Sequence, residues 1–240
     1  MSYTENFVLR ACDCDMYGKW KPSAMLEAMQ EIAIAHCEVL DLGRSVTDAQ
    51  GVVWVLSRCR VELSRLPRIG ESYAMETYPL PPRHLFFPRA HVIRAADGEI
   101  LGGAHGLWLL MDIESRKIVK DPYVAGRLPM EDQPAPVKLP GTVKPLGAPQ
   151  AVTRIVPQFT EFDLNGHVNN TKYADWCWNA LGFDGLKGRE AAWFEINYDR
   201  EILPGEEIRA ELCRQGEELS FCGHHGDQRC FGMRVGLREG

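Results

Sequence analysis

The chain carries one short motif twice. Asp15-Met16-Tyr17-Gly18-Lys19-Trp20 and Asp163-Leu164-Asn165-Gly166-His167-Val168 hold Asp and Gly at the same places. Each copy leads into a helical pattern. After the first, Pro22 suits an opening turn, and Met25, Met29, Ile32 and Ala33 recur at helical spacing until Gly43 ends the run. After the second, Tyr173, Trp176, Cys177, Ala180 and Leu181 form the apolar stripe, and Gly182 ends it. Strand-like segments follow both helices: 52–61, 73–78, 89–94 and 101–112 in the first half, then 193–200, 207–214, 219–224 and 230–237 in the second. Arg68-Ile69-Gly70-Glu71 and Leu203-Pro204-Gly205-Glu206 mark corresponding turns. A long helix followed by antiparallel strands, twice over, predicts an α+β chain in which each sheet wraps its helix to bury the apolar stripe.

Six prolines crowd the stretch 129–150, at 129, 134, 136, 140, 145 and 149. Such density excludes helix and interior strand, so an extended connector is expected there. The predicted division is a first half at 1–128, a Pro-rich linker at 129–150 and a second half at 151–240.

Bulk properties narrow the function. A net charge of −6 gives no broad basic field, which argues against non-specific nucleic-acid binding. No apolar run approaches the roughly 20 residues of a membrane helix. The polar N-terminus, Met1 to Asn6, does not read as a leader peptide, so a cytoplasmic protein is expected. Eight cysteines occur without a Cys-x-x-Cys pair, and all eight are expected to be reduced. Metal-ligand spacings are missing, so neither a metal nor another cofactor is expected.

The second motif copy carries the chemistry. Asp163, Asn165 and His167 alternate, and in an extended segment such side chains share one face. The helix that follows adds unpaired N–H groups at its N-terminus, near Val168, Asn169 and Asn170. A carboxylate, a proton shuttle and amide donors aimed at one point suit acyl chemistry without a covalent intermediate. The first copy has Tyr17 for Asn165 and Lys19 for His167, which marks it as structural. Asp163 alone could be a turn cap, and Asn169 and Asn170 read more readily as caps than as catalysts. Trp54, Met25 and Met29 read as core, with some of that surface free to line an acyl pocket.

The stretch from Asp163 to Tyr173 resembles the Asp-x-Asn-x-His-Val-Asn-Asn-x-Lys-Tyr motif of the acyl-acyl carrier protein thioesterases, which have a double hotdog fold. Val53 to Arg58 is similar to that family's first-domain strand, and Trp108 to Lys120, with Ser115-Arg116, to its closing strand and the segment after it. The resemblance implies hydrolysis of a fatty acyl thioester carried on acyl carrier protein. It also implies a role for Glu201, since Tyr198-Asp199-Arg200-Glu201-Ile202 stands where the family shows Tyr-Arg-Arg-Glu-Cys on a strand. Ile202 replaces the cysteine, so direct attack by water is favoured over a thiol nucleophile. The general base is then Glu201 or Asp163. Docking of an acidic carrier calls for a local cationic cluster, with Arg83, Arg89, Lys172 and Lys187 as candidates, and the chain is expected to be a monomer or a homodimer. The competing readings are an acyl-coenzyme A thioesterase with the same site and a non-catalytic acyl-binding protein. A hotdog hydratase is disfavoured, because its motif is one residue longer between Asn and His.

Overall fold

The computed structural model describes residues 1–131 and 133–240. Strands β1 (Tyr3–Val8), β2 (Val52–Leu63), β3 (Ser72–Pro79), β4 (Phe87–Ala95), β5 (Ile100–Asp112) and β6 (Ile118–Val119) belong to the first half. Strands β7 (Ala151–Ile155), β8 (Arg189–Tyr198), β9 (Ile208–Gln215), β10 (Glu218–His225) and β11 (Gln228–Glu239) belong to the second. Four helices accompany them: α1 (Pro22–Val39), α2 (Arg44–Ala49), α3 (Pro122–Arg127) and α4 (Lys172–Leu186).

All strands join one antiparallel sheet in the order β1-β3-β4-β5-β2-β8-β11-β10-β9-β7, with β6 added to β5. Read outward from the centre, each half repeats one order: β2-β5-β4-β3-β1 matches β8-β11-β10-β9-β7. The seam is the β2–β8 ladder, from Arg58 opposite Asn197 to Glu62 opposite Trp193. The two halves are thus related by a pseudo-twofold axis through the Arg60/Glu195 pair.

Both long helices bury their stripes in a shared core. Met25, Met29 and Ile32 of α1 and Tyr173, Trp176 and Cys177 of α4 pack in one cluster with Val61, Phe194, Ile196 and Phe231. Pro22 opens α1 as its pre-set φ allows, but that helix stops at Val39, earlier than the pattern predicts. Asp41 turns there at φ 52, and Gly43 caps α2 instead of ending α1. Gly182, at φ 65, breaks α4, and a last turn continues to Leu186. The edge strands β1 and β7, which precede the motif copies, were not expected. In β1 half-buried and exposed positions alternate, but the polar run Thr4-Glu5-Asn6 hides this in the sequence, and β7 is exposed at four of five positions.

No helix or strand forms among the described residues of 129–150. Instead the segment crosses the sheet face opposite the helices, held by side chains that point away from the core. Glu195 accepts from the Gly141 N–H at 2.6 Å. Asn197 accepts from the Val143 N–H at 2.7 Å and donates to the Gly141 carbonyl at 3.0 Å. The Leu146 N–H donates to Ser220, and Arg229 donates to the Val143 carbonyl. Proline carries no N–H. The backbone groups left over therefore find partners on the sheet surface instead of on another strand.

Candidate active site

The two motif copies fold into the same closed turn. In the second, Asp163 Oδ1 accepts from the Asn165 N–H at 2.8 Å and from the His167 N–H at 3.5 Å. The Asp163 N–H donates to the His167 carbonyl at 2.9 Å, and Gly166 takes φ 78. In the first, Asp15 Oδ1 accepts from the Tyr17 and Lys19 N–H groups at 2.9 and 3.0 Å, and Gly18 takes φ 74. This corrects the expectation of an extended segment with three side chains on one face. Asp163 spends an oxygen on its own turn, and the positive φ that closes the turn explains why glycine stands in both copies. Leu164 and Asn165 are exposed at the tip, while His167 is half-buried.

Two anchors aim His167. The motif bridges back on itself at Phe162 and Val168, and the Asn169 N–H donates to the Glu161 carbonyl at 2.8 Å. Glu161 also accepts from the Trp176 indole at 2.6 Å, which ties the loop to α4. On the other side the Val168 N–H donates to the Ile202 carbonyl at 3.0 Å. Ile202 is fully buried, so it fixes the backbone beside Glu201. Glu201 therefore lies in the loop after β8, not on a strand, and its Oε2 is 3.3 Å from His167 Nε2.

Those anchors use up groups expected to face a ligand. The Val168 and Asn169 N–H groups both have backbone acceptors, which corrects their expected place as free helix-terminal donors. Asn169 closes the turn that leads into α4, its Oδ1 accepting from the Thr171 N–H at 2.9 Å and hydroxyl at 2.8 Å. Asn170 remains: its Oδ1 is buried without a hydrogen-bond partner among the described residues.

Sequence reasoning missed two residues here, both from the first half. Arg116, in the turn between β5 and β6, forms an ion pair with Glu201. Arg44, the first residue of α2, brings its guanidinium to 3.5 Å from Asn165 Oδ1. One signal for Glu201 was available without any resemblance. Arg65 pairs with Glu71 in the first half and Arg200 with Glu206 in the second, at the same spacing of six residues, so the two loops correspond position by position. At the position of Glu201 the first half has Leu66. The counterpart of the His167–Glu201 contact is accordingly a cleft lined by Lys19, Leu66, Trp20, Met25 and Glu190. There Lys19 pairs with Glu190 at 3.0 Å.

The three residues expected to line a pocket do not come together. Met25 and Met29 are buried in the shared core. Trp54 packs at the edge of a second cluster, with Leu42, Val52, Phe87, Leu110 and Val124, edge-on to Phe87. That cluster involves β2, β5 and the segment before α2, the elements that carry Arg116 and Arg44 to the site. Its Trp54 Nε1 is buried without an acceptor among the described residues. Of the cationic candidates, Arg83 and Lys187 are exposed. Lys172 pairs with Glu27 at 2.9 Å. Arg89 is corrected: it is buried against His36 and Thr77 and faces no solvent.

Two helix-wrapping half-sheets fused edge to edge, with a histidine–carboxylate contact just past the seam strand of one half, define a tandem hotdog protein. The first half matches the acyl-ACP thioesterase N-terminal domain over residues 1–124, and the second matches the acyl-ACP thioesterase C-terminal domain over residues 148–232. The chain belongs to the acyl-ACP thioesterase family. It is 24% identical over 217 residues to a chloroplastic palmitoyl-acyl carrier protein thioesterase of Gossypium hirsutum, a match covering 83% of this chain and 52% of the relative. The chain thus spans about half the length of that curated relative. Its fold is shared with an acyl-ACP thioesterase from Bacteroides thetaiotaomicron (TM-score 0.90, 21% identity, 99% of this chain and 98% of that one). It is shared also with a 12:0-ACP thioesterase from Umbellularia californica (TM-score 0.89, 19% identity, 100% and 98%).

Proposed function

We propose that this chain hydrolyses the thioester of a fatty acyl group on acyl carrier protein, with Glu201 as general base. The observation that carries the reading is the His167–Glu201 contact, 3.3 Å long, in a chain of this family. Glu201 takes a proton from water as the oxygen attacks the thioester carbonyl. The carbon–sulfur bond breaks and the sulfur leaves as thiolate, while the proton on Glu201 passes across the 3.3 Å contact to His167, which delivers it to the sulfur and restores both residues. The products are a free fatty acid and the carrier thiol. General acid–base help of this kind supplies about 10²–10⁴ in rate.

In this reading Asp163 acts through the turn that aims His167, and Asn165 orients the substrate at the rim. The Asn170 backbone N–H, which has no acceptor among the described residues, supplies the donor for the developing oxyanion, while Val168 and Asn169 hold the loop that carries it. The acyl chain runs toward the Trp54 cluster, and the buried methionines Met25 and Met29 back the helix beside it. Water serves as nucleophile because the position after Glu201 is the buried Ile202, which has no thiol. The chain already contains both halves of the seam, so it works as a monomer or as a homodimer. We place it in the cytoplasm, in keeping with eight free thiols. No helix among the described residues is long and apolar enough to cross a membrane.

The test is turnover of matched acyl chains on carrier protein and on coenzyme A by wild type, His167→Ala and Glu201→Gln. Release of fatty acid from the carrier, with both variants down at least about 100-fold, is the expected result. Near-wild-type rates in both variants would sink the assignment, and faster turnover of the coenzyme A ester would replace the carrier as substrate.

A further inference from the structure

The half that holds no histidine–carboxylate pair nevertheless reaches into the site. Arg116 contacts Glu201 Oε2, the same oxygen that faces His167 Nε2. Glu201 sits in a loop without secondary structure of its own, and its side chain is one-third exposed. Burial of Ile202 fixes the backbone beside it but leaves the carboxylate free to choose rotamers. Among the described residues, Arg116 is the one arginine or lysine that pairs with it.

Arg116 is held in place at a cost. Its φ of 58 lies in the left-handed region, which a residue with a β-carbon adopts rarely. The turn is closed by the Arg116 N–H donating to the Asp112 carbonyl at 3.0 Å and by the Ser115 N–H donating to the Asp112 side chain at 2.7 Å. An unfavourable backbone conformation persists where surrounding structure enforces it, and such positions cluster at functional sites. In the first half, where Leu66 replaces the carboxylate, no such cation is needed.

We infer that Arg116 is a positioning residue: its guanidinium fixes the Glu201 carboxylate against His167, so the second-half site works only when the β5–β6 turn of the first half is in place. The inference rests on Glu201 being the base of the thioesterase reading. It assigns the first half a direct part in the chemistry besides shaping the substrate. Arginine suits the task because its planar fork holds a carboxylate in one orientation, whereas lysine offers only a point charge. Stability is not the reason for the pair, because partly exposed ion pairs contribute little to it.

The experiment compares kcat and KM on acyl carrier protein thioester for wild type, Arg116→Gln, Arg116→Lys, Glu201→Gln and the Arg116→Gln/Glu201→Gln double variant. Arg116→Gln should lower kcat by about tenfold or more with KM nearly unchanged, the mark of an interaction made in the transition state. Arg116→Lys should recover part of the loss. Arg116→Gln should cost nothing further in the Glu201→Gln background, since residues acting as one unit are not additive. Thermal midpoints should agree across the set. Fully additive losses in the double variant would overturn the role of Arg116 while leaving the thioesterase reading intact. So would a rise in KM alone, which would make Arg116 a substrate contact. A wild type inert on every acyl thioester would overturn the reading and this inference together.

Discussion

Asp163 and Asp15 show how one residue type serves a fold and a site at once. Each accepts two N–H groups within its own turn, yet only the second turn presents a histidine. Replacing either by alanine removes the same local bonds and should cost about 1–2 kcal/mol of stability, in the range of a lost cap. Activity should separate them. Asp163→Ala releases the loop that aims His167 and should lower kcat by about tenfold or more, short of the roughly 10²–10⁴ that losing the acid–base group itself costs. Asp15→Ala should leave the kcat of the folded fraction unchanged. Urea titration and turnover on both variants check this, and equal kcat in the two would remove Asp163 from the mechanism. The motif was legible in sequence because it is local: Asp and Gly at fixed spacing are what the turn requires. Its alternation was misread as strand because the pattern alone does not distinguish an extended segment from a turn closed by the first side chain onto the third and fifth amides.

At the scale of elements, the helices and inner strands follow from periodicity, whereas the linker path does not. Glu195 and Asn197 alternate with Phe194 and Ile196 on β8, so the sequence places them on an outer face, where polar residues meet water. In the structure they are buried, because residues 141–143 lie across them. A proline-rich segment signals that it forms no helix or strand, but its route depends on acceptors and donors scattered over β8, β10 and β11. Asn197 is the densest of these holds, with one bond to each side of Thr142. Asn197→Ala removes both partners from a buried strip, and should cost about 2–3 kcal/mol if the segment stays put. Detachment of the segment is the alternative relief, so cleavage by a protease within 138–146 should accelerate at least severalfold. Wild-type stability together with wild-type protease resistance would show that the crossing is held by something other than these bonds. Asn197 is also opposite Arg58 in the β2–β8 ladder, so the linker clasps the seam it connects.

The whole molecule is built around that seam, and its core does not respect the repeat. One apolar cluster runs from Leu9 in the first half to Leu237 in the second. Weakening one half should therefore unfold both. Acid offers a way to weaken the first half selectively. His36 is buried beside the Arg89 guanidinium at 3.0 Å, with Tyr3 stacked on it, and burial followed by that positive charge lowers its pKa to about 4. His91, whose Nε2–H donates to the Met29 carbonyl of α1 at 3.1 Å, is lowered to about 3, again by burial first and Arg89 second. Both imidazoles are neutral in the folded chain and take up protons near pH 6.5 when unfolded. Their contribution is thus fully present above pH 6.5 and is lost as pH falls toward 4. From pH 7 to pH 5 the two together should withdraw on the order of 4 kcal/mol, at about 1.4 kcal/mol per pH unit for each below the unfolded value. Carboxylates held low by arginines, such as Asp13, Glu71 and Glu206, add to the loss only nearer their own ordinary range, so this window isolates the histidines. Urea unfolding at pH 7 and pH 5, followed by amide exchange in α1 and in α4, should give a lower midpoint at pH 5 with both helices melting together. An unchanged midpoint would contradict the buried neutral histidines. A transition in α1 that precedes α4 would contradict the single core, and with it the reason a fused pair of halves can hold Arg116 of one against Glu201 of the other.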